Sequence, residues 1–198
     1  MNLSKGTETR NAILDCALSE ASRIGLGGLS IGRLAQMLDM SKSGLFAHFE
    51  SKENLQKAVL QSARDRFIVR VIAPALREPR GEPRVRAMFD RWLEWSRAPF
   101  LEGGCIFCSA STELGAQPGP LKDCLLSAQR DWLGVLSEVA RVSIREGHFR
   151  SDVDPEQFGW DFHAVTLAYH YFSRLMRDPE AENRARSSFE NLIHSARA

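Results

Sequence analysis

The sequence predicts an all-α protein, and three observations predict it. Apolar residues recur at three- and four-residue steps in almost every periodic segment, the spacing of a helix that buries one face. No segment sustains the strict alternation of a half-buried strand. Residues suited to starting or stopping a helix (Gly25, Ser30, Ser41, Ser51 and Pro120) fall at the ends of these segments.

The first helix is predicted over about 7–24, with Ile13, Leu14, Ala17, Leu18, Ala21 and Ile24 as its stripe and Gly25 as its stop. A short helix follows from Ser30, an N-cap residue, with Ile31, Leu34, Ala35 and Leu38 inward. A tight turn at Asp39-Met40 leads to a third helix capped by Ser41, in which Leu45 and Phe49 face inward one turn apart. Ser51 caps a long fourth helix, expected over about 51–78 with Leu55, Val59, Phe67 and Val71 inside, and the loop "REPRGEPR" ends it. The next helix, 85–97, carries Met88, Phe89, Trp92 and Trp95.

"GGCIFCSASTELGAQPGP" then reads as a short helix from Cys105 to about Leu114 and a turn. Pro120 lies near the first position of a helix that runs to about Gly147, since proline lacks no needed donor there. Its stripe is Leu125, Trp132, Leu136, Val139 and Ala140. After "SDVDP", Phe158, Phe162, Val165, Tyr169, Phe172 and Met176 recur at helical steps, while Trp160, Leu167, Tyr171 and Leu175 add apolar area on other faces. A helix apolar nearly all round needs cover on more than one side. A last helix, 181–196, presents Phe189, Leu192, Ile193 and Ala196 on one face. The final two helices together predict a two-fold four-helix dimer interface.

Composition narrows the function. The 198 residues are 43% hydrophobic and 26% charged, as in a globular protein, either one ordinary domain or a small module joined to a larger one through a shared helix. No run of about 18 apolar residues suggests a membrane span, and "MNLSKGTETR" lacks the apolar centre of a signal peptide. A cytoplasmic location without a membrane partner is expected. Four scattered cysteines do not make a secreted disulfide scaffold. The formal net charge of +1 gives no global argument for a polyanion partner. Residues 1–70, with ten basic and seven acidic side chains, permit one.

The second and third helices and their three-residue turn match a helix-turn-helix. A recognition helix inserts its N-terminal residues into the major groove, so it needs small or hydrogen-bonding groups and close backbone approach there. "SKSG", Ser41 to Gly44, supplies both, while Phe46, Ala47 and His48 face outward.

"LSIGRLAQMLDMSKSGLFAHFESKENLQKAV", residues 29–59, resembles the DNA-binding segment of the TetR family of bacterial transcriptional regulators. The all-helical remainder is similar to that family too, and "GGC", a small-residue helix, a Glu and "PGP" resemble the regulatory domain of one subgroup. The resemblance implies an N-terminal three-helix DNA-binding domain, 1–50, and a helical ligand-binding and dimerisation domain, 51–198. It implies a non-enzymatic homodimer that binds a palindromic operator in double-stranded DNA, usually as a repressor, and is released by a small-molecule effector, with no cofactor. By position, Ser30 and Lys52 would touch phosphates. Ser41, Lys42, Ser43, Gly44 and Phe46 would lie at the groove, and His48, where the family often has Tyr, would reach a phosphate or base edge. Asp39 stands where the family commonly has Gly, and Asp tolerates the left-handed conformation. Phe46 and Ala47 shift readout towards thymine methyl contacts.

The regulatory residues stay open to two readings. Met88, Trp92, Trp95, Phe158 and Phe162 are core residues that can also line an apolar ligand cavity, with Cys105, Cys108 and His163 beside it. His163 and His170, seven apart on one face, could line a pocket or hold a metal, but such residues are more often satisfied core or interface histidines. A zinc reading of Cys105 and Cys108 lacks two further ligands at finger spacing, and no metal is expected. Cys105 and Cys108 either pack in the regulatory core or form a redox-sensing pair. Helical Cβ atoms three residues apart are about 5–6 Å apart, too far for easy closure unless Cys105 sits in the first turn. There a helix N-terminus would also lower its pKa. A thiol-based sensor or oxidoreductase is therefore the alternative function.

Overall fold

The computed structural model describes residues 5–116 and 118–198. Residues 1–4, part of the segment from which no leader is predicted, and Gln117, in the expected turn, lie outside them. The described residues are helical, with α1 Lys5–Ile24, α2 Ile31–Met37, α3 Lys42–Phe49, α4 Lys52–Phe67, α5 Ala73–Ala75, α6 Glu82–Ser96, α7 Ile106–Leu114, α8 Pro120–Arg145, α9 Pro155–His170 and α10 Ala181–Ala196. An isolated bridge between Phe149 and Arg197 is the only β feature among them. The chain forms two compact units. The first holds the residues up to Arg66 together with Arg97–Leu126, and the second holds Phe67–Ser96 and Ser127–Ala198.

In the first unit α1 buries Ile13, Leu14, Ala17, Leu18 and Ala21. Ile24, expected on that stripe, is exposed, because the chain leaves the helix at Gly25 (φ +81°) and Leu26 and Leu29 of the following loop occupy the core instead. Ser30 caps α2 by accepting from the Arg33 N–H at 3.4 Å, and Ser41 caps α3 by accepting from the Gly44 N–H at 3.0 Å. Between them Asp39 takes a left-handed conformation, φ 51°, and the Met40 N–H returns to the Ala35 carbonyl. Ser51 caps α4 through the Asn54 N–H at 3.1 Å. Buried Leu34 and Ala35 of α2 and Leu45 and Phe49 of α3 hold the two short helices together, and α7 packs on α1.

The second unit is built on aromatic rings. Phe67 meets Trp95 and Trp132 edge-on at 5.4 and 5.0 Å, and Trp132 meets Phe162 at 6.0 Å. Phe162 in turn touches Phe89 and Phe189, which stack on each other at 4.1 Å. Edge-to-face geometry suits the ring quadrupoles, so each contact adds about 0.5–1.5 kcal/mol beyond area burial. The C-terminus is tied down by the Arg150 N–H to the Ala196 carbonyl at 2.8 Å and the Ala198 N–H to the His148 carbonyl at 3.2 Å.

Three expected boundaries change. The helix predicted over 51–78 is interrupted by a π turn at Ile68–Ile72, just before Pro74, whose missing N–H cannot continue an α-helical ladder. The helix expected from Val85 begins at Glu82, where Pro83 fits the first turn and Glu82 complements the helix dipole. A second π turn, Tyr171–Leu175, ends α9. Its extra residue rotates the stripe, so Phe172 and Met176, at the end of the predicted apolar series, are exposed.

Candidate nucleic-acid interface

The outer surface of α2 and α3 carries the predicted DNA-facing residues. Ser30, Ser41, Lys42, Ser43, Phe46, Ala47 and Lys52 are exposed, and Gly44 and His48 are half-buried. Ser41 Oγ lies 3.2 Å from Ser43 Oγ, which gathers two hydroxyls at the start of α3. Phe46, 49% exposed, presents an apolar ring one turn further on. Inward Leu45 and Phe49 fix the rotation of α3 and therefore which side chains point out.

A groove of about 700 Å³ opens beside these residues, lined by Glu20, Arg23, Ser30, Arg33, Gln36 and Lys42 among others. Three cations among its lining residues, Arg23, Arg33 and Lys42, make it receptive to an anionic backbone. Arg33 is held from behind by the buried carboxylate of Glu20 at 2.7 Å, with Arg23 at 3.6 Å from the same carboxylate. This arrangement was not legible in sequence, because Glu20 is a charged residue at the buried edge of the α1 stripe and its partner Arg33 is in another helix.

Lys52 is also engaged within the protein. Its Nζ donates to the Gly27 carbonyl at 2.5 Å. An ammonium has three N–H donors, so two remain for a phosphate. The α1–α2 loop around Gly27 draws on further side chains. Gln56 Nε2 donates to the Leu26 carbonyl at 2.8 Å, and Glu113, from α7, accepts the Leu26 N–H at 2.9 Å and the Gly27 N–H as well. The sequence signal for this was present in "GLGG", a glycine-rich loop whose backbone donors need outside acceptors. Nothing in sequence spacing points to a residue more than eighty positions away.

The residues considered for a ligand pocket fall in both units. In the second unit, Met88, Trp92, Trp95, Phe158 and Phe162 are all buried. Trp92 meets Tyr169 edge-on at 5.7 Å and Phe158 lies 5.1 Å from Phe149. His163 places Nδ1 3.2 Å from the hydroxyl of buried Thr166, and burial holds its pKa below the usual histidine value. His170 is lowered by burial and then by Arg174. Both rings are therefore neutral at pH 7. Among the described residues no three His, Cys, Asp or Glu side chains group as metal ligands.

Cys105 and Cys108 lie in the first unit. Cys105 is the N-cap residue of α7, and both thiols are outside any disulfide and buried, at 2% and 5% exposure. A hydrogen bond with Cys105 and then burial push the Cys108 thiol well above its ordinary value. Such a thiol is protonated and poorly nucleophilic at neutral pH. No helix among the described residues is long and apolar enough to cross a membrane.

Comparison with known proteins bears on the whole chain. Residues 13–59 match the family described as "Bacterial regulatory proteins, tetR family", and residues 81–189 match "Tetracyclin repressor-like, C-terminal domain". No curated protein matches. Among solved structures, a TetR-family transcriptional regulator from Cytophaga hutchinsonii superposes with a TM-score of 0.86 at 19% identity, covering 100% of this chain and 99% of that one. SCO4454, a TetR-family regulator from Streptomyces coelicolor, gives 0.82 at 21% identity, covering 96% of each chain. AibR, solved with isovaleryl coenzyme A and operator DNA, gives 0.73 at 22% identity, covering 94% of this chain and 98% of that one. At these identities the structures establish a shared all-helical fold, and the two family matches, one of which spans more than half of the chain, carry the assignment. With its helix-turn-helix and its helical C-terminal part both matched, the chain belongs to the TetR family of DNA-binding transcriptional regulators.

Proposed function

We propose that this protein is a homodimeric, ligand-responsive regulator that binds a palindromic operator, represses transcription in the cytoplasm and is released by a small molecule. The observation that carries this reading is the start of α3. Ser41, Lys42 and Ser43 are exposed there beside Gly44, on a helix anchored from behind by buried Leu45 and Phe49. The geometry suits insertion into a major groove. Ser30, Lys42 and Lys52 take phosphates, Ser43 and His48 reach base edges or phosphates, and Phe46 takes a thymine methyl. The DNA-reading module is residues 1–50, and α4 begins the regulatory part.

The dimer forms through α9, its π turn and α10. Trp160, Leu167, Tyr171, Leu175 and Met176 are exposed within seventeen residues, with Trp160 and Leu175 at 63% and 68%. A groove of about 330 Å³ between α9 and α10, lined by Ala164, Ala168, Phe172, Ala181 and Ala185 among others, receives partner side chains. Apolar area of this extent on a soluble chain marks an interface. The effector is bound among the aromatic residues of the second unit, Met88, Trp92, Trp95, Phe158, Phe162 and His163. Cys105 and Cys108 pack within the first unit at the start of α7. Burial of both thiols argues against the redox-sensing alternative.

Binding to duplexes selected from a random pool tests the reading. Lys42→Ala is expected to weaken all duplex binding and to flatten the plot of log K against log salt by about one unit. Ser43 or His48 substitutions are expected to alter operator preference more than nonspecific affinity. An unchanged salt slope together with unchanged preference would place DNA elsewhere on the protein.

A further inference from the structure

The segment that contains Cys105 and Cys108 is docked on the end of the first helix at three points. Glu102 pairs with Arg23 at 3.4 Å. The Gly103 N–H donates to Ser22 Oγ at 3.2 Å, and a Cβ at Gly103 would overlap the Ser22 carbonyl. Glu113, at the far end of α7, accepts the Leu26 and Gly27 N–H groups with its two carboxylate oxygens.

The third contact is built for a carboxylate. A Cβ at Gly25 would come within 2.8 Å of Glu113 Oε2, and one at Gly27 within 2.6 Å of Oε1, so the two glycines leave the space that the carboxylate fills. The adjoining carbonyls of Leu26 and Gly27 are held by Gln56 and Lys52 of α4. All four polar groups of these two residues are thus fixed by α4 and α7. Three residues further on, Ser30 caps α2, and α2 orients α3.

We infer that Glu113 is a positioning residue for operator binding, a carboxylate latch through which α7 sets the α1–α2 loop and hence the placement of the recognition helix. The inference rests on the DNA-binding function proposed above. Charge-assisted hydrogen bonds are the stronger class, so their loss frees the loop rather than merely loosening it. Displacement of α7 withdraws the acceptor from both amides together. Glutamine at the same position keeps the volume but offers one acceptor oxygen, and its NH2 group opposes one of the two N–H donors.

The test compares wild type with Glu113→Gln and, independently, Gly27→Ala, whose Cβ displaces the carboxylate. Amide hydrogen exchange is measured residue by residue, with affinity for the selected operator and for random duplex measured in parallel. Both variants are expected to exchange faster at residues 26 and 27 and across α2 and α3, with α9 and α10 unchanged. Operator affinity is expected to fall about tenfold, with the salt slope preserved because no phosphate contact is removed. Protection of α2 and α3 equal to wild type in both variants would overturn the latch, as would operator affinity within twofold of wild type. If wild type itself binds no duplex, the proposed function fails, and the exchange data still decide whether Glu113 positions α2 and α3.

Discussion

Glu82 shows how much one side chain can organise. Its Oε1 accepts from Arg86 Nε at 2.7 Å and Arg197 Nη2 at 2.5 Å, and its Oε2 accepts from Arg197 Nε at 2.8 Å. The hydrogen bond from Arg197, with that from Arg86, holds the carboxyl at about 2, below its usual 4.5, against the opposing effect of burial. A depressed folded-state pKa means that this stabilisation is present above the unfolded value and is lost as pH falls from about 4.5 towards 2. With the side chain 14% exposed, solvent screening reduces the effect to about 1–2 kcal/mol. Denaturant unfolding of Glu82→Gln should show that loss at pH 7, with the difference shrinking from about pH 4.5 downwards and converging on wild type only at about pH 2. A constant difference across that range would remove the ionic contribution. Some residue-scale features were legible in sequence, since the Ser30 and Ser41 caps and the left-handed Asp39 are local chemistry. Glu113 and Arg197 were not, because their partners are distant in the chain and no local period links them.

At the scale of elements, period predicts where a helix is but not where its ladder is interrupted. Every predicted helix exists, and buried Leu55, Val59 and Val71 follow the expected α4 stripe across the π turn before Pro74. After Tyr169 the same device exposes Phe172 and Met176, because one extra residue per turn moves later side chains off the core face. α9 therefore has a dry half around Phe162 and a half that is apolar but uncovered in the monomer. Phe162 is fully buried against Phe89, Trp132 and Phe189. Phe162→Ala should lower unfolding free energy by about 3–5 kcal/mol, the cost of a cavity that rigid rings cannot close. A loss below about 1 kcal/mol in urea titration would mean that the aromatic cluster collapses around the gap or packs less tightly than described.

For the whole molecule, the exposed apolar face and the recognition helix are parts of one argument. A single helix-turn-helix reads a short half-site, and two-fold symmetry doubles the contact without a second gene. Leu175→Glu, which places a charge on the proposed dimer face, should convert the protein to a monomer in sedimentation and reduce operator affinity by more than a hundredfold, with helicity retained. A variant that remains dimeric would move the interface elsewhere. The "GGCIFC" segment forms the start of α7, with both sulfurs buried and Glu113 at the far end of the helix.

The account is tested most directly by footprinting the protein on duplexes selected from a random pool. It predicts protection of two half-sites related by a two-fold axis, their centres one helical turn of about ten base pairs apart or a multiple of it. Protection without symmetry, or no protection of any duplex even at low salt, would contradict it.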